Sequence, residues 1–294
     1  MSIGNIKGEP DIPDHPLVAN KILYLAKKFS GVKSFFCSGC GYGAIAQWIG
    51  NIFMEDKLDI HKYPIINGVG CYTMIPIILP GKMLMNLHGR GLAVATGVKM
   101  ANPELKPIII AGDGDLLSIG TNHFIHAARR NLDCVCLLLH NLTFGMTGGQ
   151  VAPTAFRGQI ASTARYGYMQ DAIDAVELAK TAGATYVTRC TTAQPLQFMK
   201  YFRKALNHNG FSLIDVVSQC VTYFGRHNKM AKPVDVFNWI KQQTVSIKEA
   251  SDMSPDELKD KFITGEFIEM QKPTLTSDYL NLIKRLREEK QEAK

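Results

Sequence analysis

Short apolar runs alternate with segments of helical periodicity over most of the chain between residues 20 and 217. Two of these runs, 107–112 (PIIIAG) and 134–140 (CVCLLLH), are continuously apolar, which is typical of strands buried on both faces of a sheet. Between such runs, as in 44–55 and 172–183, apolar residues recur at helical spacing. Strands that alternate with helices in this order predict an α/β fold, with a mostly parallel sheet and helices on both faces.

The same pattern divides the chain into three parts. Residues 1–19 contain three prolines and little periodicity, so we expect an irregular N-terminal arm before a main domain over 20–225. A first helix is predicted over 17–29. Over 226–294 the hydrophobic density falls and the charge rises, which indicates a C-terminal extension that contacts another subunit. The strands predicted in the main domain are VKSFF, YPIIN, PIIIAG, CVCLLLH, YVTRCT and FSLIDVV.

Composition narrows the class of protein. With 46% hydrophobic and 20% charged residues the chain has a globular composition, and no apolar run approaches the roughly 20 residues that a membrane span needs. The net charge of +7 is spread along the chain without a basic stripe among aromatic residues, so we expect no nucleic-acid partner. The first residues lack the charged-then-apolar order of a signal peptide. We therefore expect a cytoplasmic protein that binds no membrane.

Glycine-rich or polar loops follow five of the predicted strands. The loops, in chain order, are CSGCG, GVGC, GDGD, NLTFG and SQC. Ligands of parallel α/β sheets bind at the carboxyl ends of the strands, where such loops meet. Together the loops predict one binding site at this edge of the sheet.

The loop after PIIIA carries the clearest chemistry, because Asp113 stands between Gly112 and Gly114. Glycine lets backbone amides approach a phosphate, while the carboxylate can hold Mg²⁺, which prefers oxygen ligands. Asn141 ends the next strand, 28 residues later, and Thr143 can add its backbone carbonyl. A GDG turn followed by one helix, one strand and an asparagine is the signature of thiamine diphosphate bound through Mg²⁺.

The seven cysteines fall into two groups. Those inside apolar strands, which are predicted to fill the core, are Cys134, Cys136 and Cys190. Those beside glycines or at strand ends are Cys37, Cys40, Cys71 and Cys220. Four thiolates from three loops fit either an iron–sulfur cubane or a zinc ion. One close pair joined by two distant cysteines favours the cluster, because structural zinc sites usually use two close pairs.

The segments CSGCG, GVGC, LHGRG, GDGD and NLTFGMTGGQ, with a late cysteine, resemble the beta subunit of the 2-oxoacid:ferredoxin oxidoreductases over about residues 15–230. The resemblance implies a thiamine-diphosphate-binding fold of the pyrophosphate type. It implies one [4Fe-4S] cluster on Cys37, Cys40, Cys71 and Cys220. It implies Mg²⁺ ligation by Asp113, Asn141 and Thr143. The residues implied to line the cofactor are Gly112, Asp113, Gly114, Asp115, Asn141, Thr143, Thr147 and His88.

Two positions depart from the family pattern. His140 stands where the thiamine pattern often has a first asparagine, and Gln219 stands where the family usually has proline before the last cysteine. Neither departure removes an implied ligand.

The resemblance implies a subunit of an enzyme that oxidatively decarboxylates a 2-oxoacid to acyl-CoA and CO₂, with electrons passing through the cluster to ferredoxin. The stretches LHGRGLAVATGVKMANPELKP and GTNHFIHAARRN favour 2-oxoglutarate; pyruvate or a broad 2-oxoacid specificity is the alternative. The catalytic residues are unknown, since the activating glutamate is expected on a larger alpha subunit with a pyrimidine-binding domain. The chain is therefore expected to be inactive alone, and two heterodimers are expected to pair.

Three rival interpretations remain open. FFCSGCGYGAI, with Pro76 downstream, has the strand–CxxC–helix order of a thiol-disulfide oxidoreductase, but that interpretation leaves the GDGD loop and Asn141 unexplained. A zinc-stabilised interaction subunit is the second rival. A thiamine decarboxylase that does not use ferredoxin is the third, and the four loop cysteines argue against it.

Overall fold

The computed structural model describes residues 35–79 and 81–292. Ten strands lie in this part of the chain, and eight of them form one sheet. The strands are β1 (Ile65–Asn67), β2 (Met83–Met85), β3 (Ile108–Gly112), β4 (Cys134–His140), β5 (Thr143–Phe144), β6 (Gln150–Val151), β7 (Tyr186–Thr191), β8 (Phe211–Val217), β9 (Thr244–Ser246) and β10 (Phe262–Glu269). The α-helices are α1 (Gly41–Glu55), α2 (Met74–Ile78), α3 (Gly91–Ala101), α4 (Thr121–Arg129), α5 (Ala175–Ala182), α6 (Pro195–Asn207), α7 (Pro233–Gln243), α8 (Ile247–Ala250) and α9 (Leu275–Glu292).

The main sheet has the strand order β2-β1-β3-β4-β8-β7-β10-β9. Its first six strands pair in parallel, and β10 pairs antiparallel with β7. The strands of the parallel part therefore end at one common edge, and the loops after β1, β3, β4 and β8 meet there. The prediction of a mostly parallel sheet is confirmed.

Side chains of the buried strands alternate between two cores, one on each face of the sheet. In β3, Ile108 and Ile110 pack with α1 and α6, whereas Ile109 and Ala111 pack with α3, α4 and α5. Both faces are thus covered by helices, which explains why this strand is continuously apolar. The core cysteines follow the same rule. Cys134 and Cys136 lie together in the second core, and Cys190 lies in the first, as the sequence predicts.

Most of what the sequence predicts for the N-terminal part of the chain falls outside the described residues. The predicted arm over 1–19 and the helix over 17–29 lie outside the described residues, as do residues 32–34 of the predicted strand VKSFF. Phe35 and Phe36 form a bend, not a strand.

Strand β10 lies within the predicted C-terminal extension and was not predicted. It joins the main sheet, and only its first half is well buried, through Phe262 and Thr264. The second half carries glutamates, so its sequence resembles that of a solvated segment. The division of the chain at residue 225 stays a prediction. No helix in the described residues is both long and apolar enough to cross a membrane.

Candidate active site

Two adjoining cavities open at the carboxyl ends of β1, β3 and β4. The first has a volume of about 230 Å³, and every residue predicted to line the thiamine cofactor lies in its wall. The second has a volume of about 150 Å³, and all four loop cysteines lie in its wall. The residues common to both walls are Tyr42, Cys71, Asn141, Gly145 and Met146. The structure therefore brings the two predicted sites side by side.

Asp113 lies at the base of the first cavity and is only 1% exposed. Its Oδ2 accepts hydrogen bonds from the backbone amides of Asn141 (3.1 Å) and Leu142 (2.7 Å) and from the hydroxyl of Thr154 (2.7 Å). Its Oδ1 accepts one, from the amide of Gly114 at 2.9 Å. Oδ1 consequently retains lone-pair capacity that a cation can use.

The electrostatic environment of Asp113 also favours a bound cation. Burial raises the pKa of its carboxyl group, and nearby His140 and the hydrogen bonds only partly oppose this. Among the described residues, no lysine or arginine pairs with it. A buried carboxylate of this kind is costly without a counter-charge, and a divalent ion would supply one. The residues present fit Mg²⁺.

Asn141 and Thr143 reach the cavity through a turn at the end of β4. Leu142, between them, has φ +66°, a left-handed conformation that is rare for a branched residue and is often found at functional sites. Two hydrogen bonds position the Asn141 side chain. Its Nδ2 donates to the Tyr42 hydroxyl at 2.8 Å, and its Oδ1 accepts from the Thr143 amide at 3.3 Å.

Gly114 lets the backbone of the GDG turn run against an aromatic ring. A Cβ atom at this position would overlap the ring of Phe144, so no other residue fits without displacing that ring. The close approach of the backbone, together with a carboxylate at its base, is the arrangement expected for a diphosphate bound through a metal.

Three of the other predicted residues have partners within the protein. Asp115 accepts hydrogen bonds from the Tyr72 hydroxyl and the Gly89 amide, and His88 Nδ1 lies 3.3 Å from its Oδ1. These contacts tie the loop before α3 to the strand ends. Thr147 is exposed at the rim, where its hydroxyl donates to Gln150 Oε1 at 2.7 Å. Cofactor contacts by these residues stay predictions.

The four loop thiols surround the second cavity. All are free, and burial raises the pKa of Cys40 to about 12 and that of Cys71 to about 11. Neighbouring thiols of the same set make a smaller contribution to both of these values. A Cβ on Gly145 would lie 3.3 Å from Cys71 Sγ and 3.8 Å from Cys220 Sγ, so the backbone passes directly beside both sulfurs.

Converging thiols are ligands for a soft metal centre, which displaces their protons on binding. Within residues 35–79 and 81–292, no three His, Cys, Asp or Glu side chains are grouped closely enough to hold one metal ion. The thiols come from three loops and share a cavity of about 150 Å³, an arrangement that fits a polynuclear cluster.

The two departures from the family pattern have local explanations. The His140 side chain does not line the first cavity, and its Nδ1 lies 3.1 Å from Asp215 Oδ1. The side-chain Oε1 of Gln219 accepts a hydrogen bond from the Thr192 hydroxyl at 2.8 Å, a contact that proline could not make.

Sequence reasoning missed Tyr42, Tyr72 and Thr154. Tyr42 directly follows the CSGCG loop, and this position was a usable signal. Tyr72 follows Cys71 in the same way. Thr154 lies 41 residues from the carboxylate it contacts, and nothing in its neighbourhood marks it.

The fold and the first cavity define a thiamine-diphosphate-binding domain. In agreement, residues 68–216 match the family described as "Thiamine pyrophosphate enzyme, C-terminal TPP binding domain". This range contains β2 through most of β8 and every residue predicted to line the cofactor. The predicted fold class is confirmed.

Comparison with similar proteins defines the class of thiamine-diphosphate-binding protein more closely. The chain is 41% identical over 254 residues to 2-oxoglutarate synthase subunit KorB of Methanocaldococcus jannaschii, covering 86% of this chain and 94% of that protein. It is 39% identical over 192 residues to 2-oxoacid:ferredoxin oxidoreductase 1, subunit beta, of Aeropyrum pernix, covering 65% and 60% respectively. A solved structure, 2-oxoglutarate:ferredoxin oxidoreductase from Magnetococcus marinus with 2-oxoglutarate, coenzyme A and succinyl-CoA bound, matches with a TM-score of 0.76 and 30% identity, covering 85% of this chain and 86% of that one.

The chain belongs to the family of 2-oxoacid:ferredoxin oxidoreductase beta subunits. The family resemblance drawn from the motifs is thus confirmed, and the chain is an oxidoreductase subunit. The thiol-disulfide oxidoreductase and the zinc-stabilised interaction subunit are set aside.

Proposed function

We propose that this chain is the beta subunit of a cytoplasmic enzyme that oxidatively decarboxylates 2-oxoglutarate with coenzyme A and passes the electrons to ferredoxin. The products would be succinyl-CoA, CO₂ and reduced ferredoxin. The observation that carries the proposal is the pair of adjoining cavities, one built on Asp113 and Asn141 and the other on four cysteines.

In the first cavity Asp113, Asn141 and the Thr143 carbonyl would hold Mg²⁺, and Gly112, Gly114 and Asp115 would lie beside the diphosphate. Thr147 and His88 would complete the lining. The support is the buried carboxylate with one partly free oxygen and the close approach of the GDG backbone. Thiamine diphosphate, when bound, supplies the carbanion stabilisation that decarboxylation of a 2-oxoacid requires. The chain's own residues anchor and orient it.

In the second cavity Cys37, Cys40, Cys71 and Cys220 would ligate a [4Fe-4S] cluster. Cys71 and Asn141 lie in the walls of both cavities, which supports a short path for electrons between the two sites. The close approach of the Gly145 backbone to two of the sulfurs leaves little room for water on this side.

A larger alpha subunit would complete the site. Apolar side chains stand exposed around the first cavity: Leu87 is 76% exposed, Met85 61%, and Met146 and Val69 are also in solvent. Exposed apolar groups clustered at a site are typical of a subunit interface. The partner would carry the pyrimidine-binding domain and the activating glutamate, and two heterodimers would pair.

Activity with and without the partner tests the proposal. The chain is purified alone and after co-expression with its genomic neighbour, and viologen or ferredoxin reduction is measured with coenzyme A and either 2-oxoglutarate or pyruvate. We expect turnover only from the complex, and faster with 2-oxoglutarate. Turnover by the isolated chain would contradict the shared site. Faster turnover with pyruvate would instead favour the alternative substrate and leave the cofactor assignment intact.

Cysteine variants test the cluster separately. Replacing Cys37, Cys40, Cys71 or Cys220 with alanine should lower the iron content and degrade the low-temperature EPR signal, because a thiolate bond is lost. The matched controls are Cys134→Ala and Cys136→Ala, which remove fully buried thiols outside the cavity wall. These should keep their iron and cost only about 1 kcal/mol of stability. A normal EPR signal in Cys220→Ala would contradict the ligand assignment.

A further inference from the structure

Tyr42 lies between the two cavities and lines both of them. Its side chain is only 2% exposed, and it follows Cys40 by two residues at the start of α1. One residue thus contacts both halves of the candidate site, one through its main chain and the other through its side chain.

The Tyr42 side chain takes part in a chain of hydrogen bonds whose donors and acceptors are fixed. The Leu139 carbonyl, 3.3 Å from the Tyr42 hydroxyl, can only accept, so the hydroxyl proton points toward it. The hydroxyl oxygen therefore presents a lone pair to Asn141 Nδ2, 2.8 Å away. This contact selects one of the two orientations of the Asn141 amide, with Nδ2 toward Tyr42 and Oδ1 away from it.

The contact at the other end of the Asn141 amide agrees with this orientation. Oδ1 accepts from the Thr143 amide, a long bond at 3.3 Å that leaves the oxygen able to take a second partner. Oδ1 is the atom that a magnesium ion would use, because Mg²⁺ takes oxygen ligands. Without the Tyr42 hydroxyl, the amide would lose its only contact on the nitrogen side among the described residues.

The main chain connects Tyr42 to Cys40, which lies two residues before it. Cys40 stands at the N-cap of α1 and forms no regular side-chain capping bond. Tyr42 follows in the first turn of the same helix, and both residues lie in the wall of the second cavity.

We propose that Tyr42 is a positioning residue that orients the Asn141 amide toward the metal and makes this orientation depend on whether the cysteine site is filled. The inference rests on the proposed function, since it takes Asn141 as a magnesium ligand and Cys40 as a cluster ligand. Coordination of Cys40 fixes the first turn of α1. The Tyr42 ring, anchored in that turn, is then held where its hydroxyl meets Leu139 and Asn141.

The first test removes only the hydroxyl, by Tyr42→Phe, in the complex with the partner subunit. Loss of a contact that orients a metal ligand typically weakens metal binding by about 10-fold or more. We therefore expect a dissociation constant for thiamine diphosphate with Mg²⁺ about 10-fold higher, measured by calorimetric titration, with an unchanged iron content. The control is Tyr186→Phe, which removes the hydroxyl of an equally buried tyrosine that donates to Glu266 Oε2 at 3.1 Å.

The control variant should bind the cofactor as the wild type does. An unchanged dissociation constant in Tyr42→Phe, or the same rise in both variants, overturns the positioning role. A wild-type complex that contains no iron or binds no thiamine diphosphate overturns the proposed function, and this inference with it. Normal wild-type values with an unaffected Tyr42→Phe variant overturn this inference alone.

The second test asks whether the two sites are linked. The cluster is stripped from wild-type and Tyr42→Phe complexes with a chelator, and the cofactor titration is repeated. Because coupling between sites typically changes affinity at least about 5-fold, we expect cluster removal to raise the wild-type dissociation constant by about that factor. In Tyr42→Phe, where the link is already cut, removal should change nothing further. Equal rises in both proteins, or none in the wild type, would show that Tyr42 does not couple the sites.

Discussion

Asp113, which is buried, and Asp133, which is largely buried, are carboxylates at opposite ends of neighbouring strands. Asp113 follows β3 at the carboxyl edge of the sheet, whereas Asp133 precedes β4 at the amino edge. The Asp133 side chain is 13% exposed, and each of its oxygens lies 2.6 Å from a lysine Nζ, one from Lys106 and one from Lys99. Both lysines also donate to backbone carbonyls nearby.

The pKa values of the two carboxyl groups are shifted in opposite directions, because only one of the groups has lysines beside it. Burial alone would raise the pKa of each. At Asp133 the two lysines more than offset this, so its pKa falls below the usual value. At Asp113 all the hydrogen-bond donors are neutral, three backbone amides and the Thr154 hydroxyl, so the effect of burial prevails and its pKa stays raised. At the amino edge the chain supplies its own cations, Lys99 and Lys106, and these ion pairs stabilise the fold. At the carboxyl edge the proposed Mg²⁺ would supply the counter-charge, and this is the difference between the candidate site and the structural ion pairs.

The largest effect is expected when the carboxylate at the carboxyl edge of the sheet is removed. Asp113→Ala should abolish retention of thiamine diphosphate and Mg²⁺, because the metal loses the only carboxylate proposed to bind it. The cluster should remain, since no cysteine changes. Thiamine and iron are quantified in the same purified sample. A normal thiamine content would refute the assignment of Asp113.

Removing the other carboxylate should affect stability in place of binding. Asp133→Asn leaves Lys99 and Lys106 buried without an anion, and breaking a buried pair costs about 3 kcal/mol or more. Urea unfolding followed by circular dichroism measures this loss. The folded complex should still bind thiamine diphosphate with wild-type affinity. A variant that lost the cofactor but not stability would reverse the roles given to the two groups.

The functional carboxylate could be predicted from the sequence, whereas its surroundings could not. Asp113 and Asn141 are encoded locally, by a glycine-flanked turn and by the end of a buried strand, and the parallel order of the strands brings them together. Thr154 approaches Asp113 from a distant turn, and the Tyr42 hydroxyl reaches Asn141 from the first turn of α1. Contacts of this kind depend on how distant segments pack, which periodicity and spacing do not encode.

The same limit applies to the fold. The fully buried strands were predictable, because a strand covered on both faces is apolar throughout. Strand β10 was not, because its burial comes from pairing with β7 and its outer half carries Glu266 and Glu269, which contact Lys204. Its apolar signal is correspondingly weak.

A milder change tests how Asp113 is held. Thr154→Val removes one of the three donors to Oδ2, so the carboxylate should turn more freely and bind Mg²⁺ about 10-fold more weakly. Thr154→Ser keeps the hydroxyl and should restore most of the affinity. Magnesium titration of the complex, with thiamine diphosphate present, distinguishes the variants. Equal weakening in both would point to a packing defect, not to the lost hydrogen bond.

The smallest effect expected is in the pH dependence of stability at the amino edge. Because the pKa of Asp133 is lowered in the folded protein, its ion pairs stabilise the fold fully above the unfolded value of about 3.9. This contribution is lost as the pH falls through the lower, folded value. The amide of Asp133→Asn mimics the protonated carboxyl group, so the difference in unfolding free energy between wild type and variant should be constant from about pH 7 to pH 5. Below about pH 4 the difference should shrink, as measured by urea unfolding at several pH values. A difference that persists unchanged into acid would mean that the loss of stability in the variant does not come from the missing carboxylate charge, and the electrostatic half of the comparison would fail.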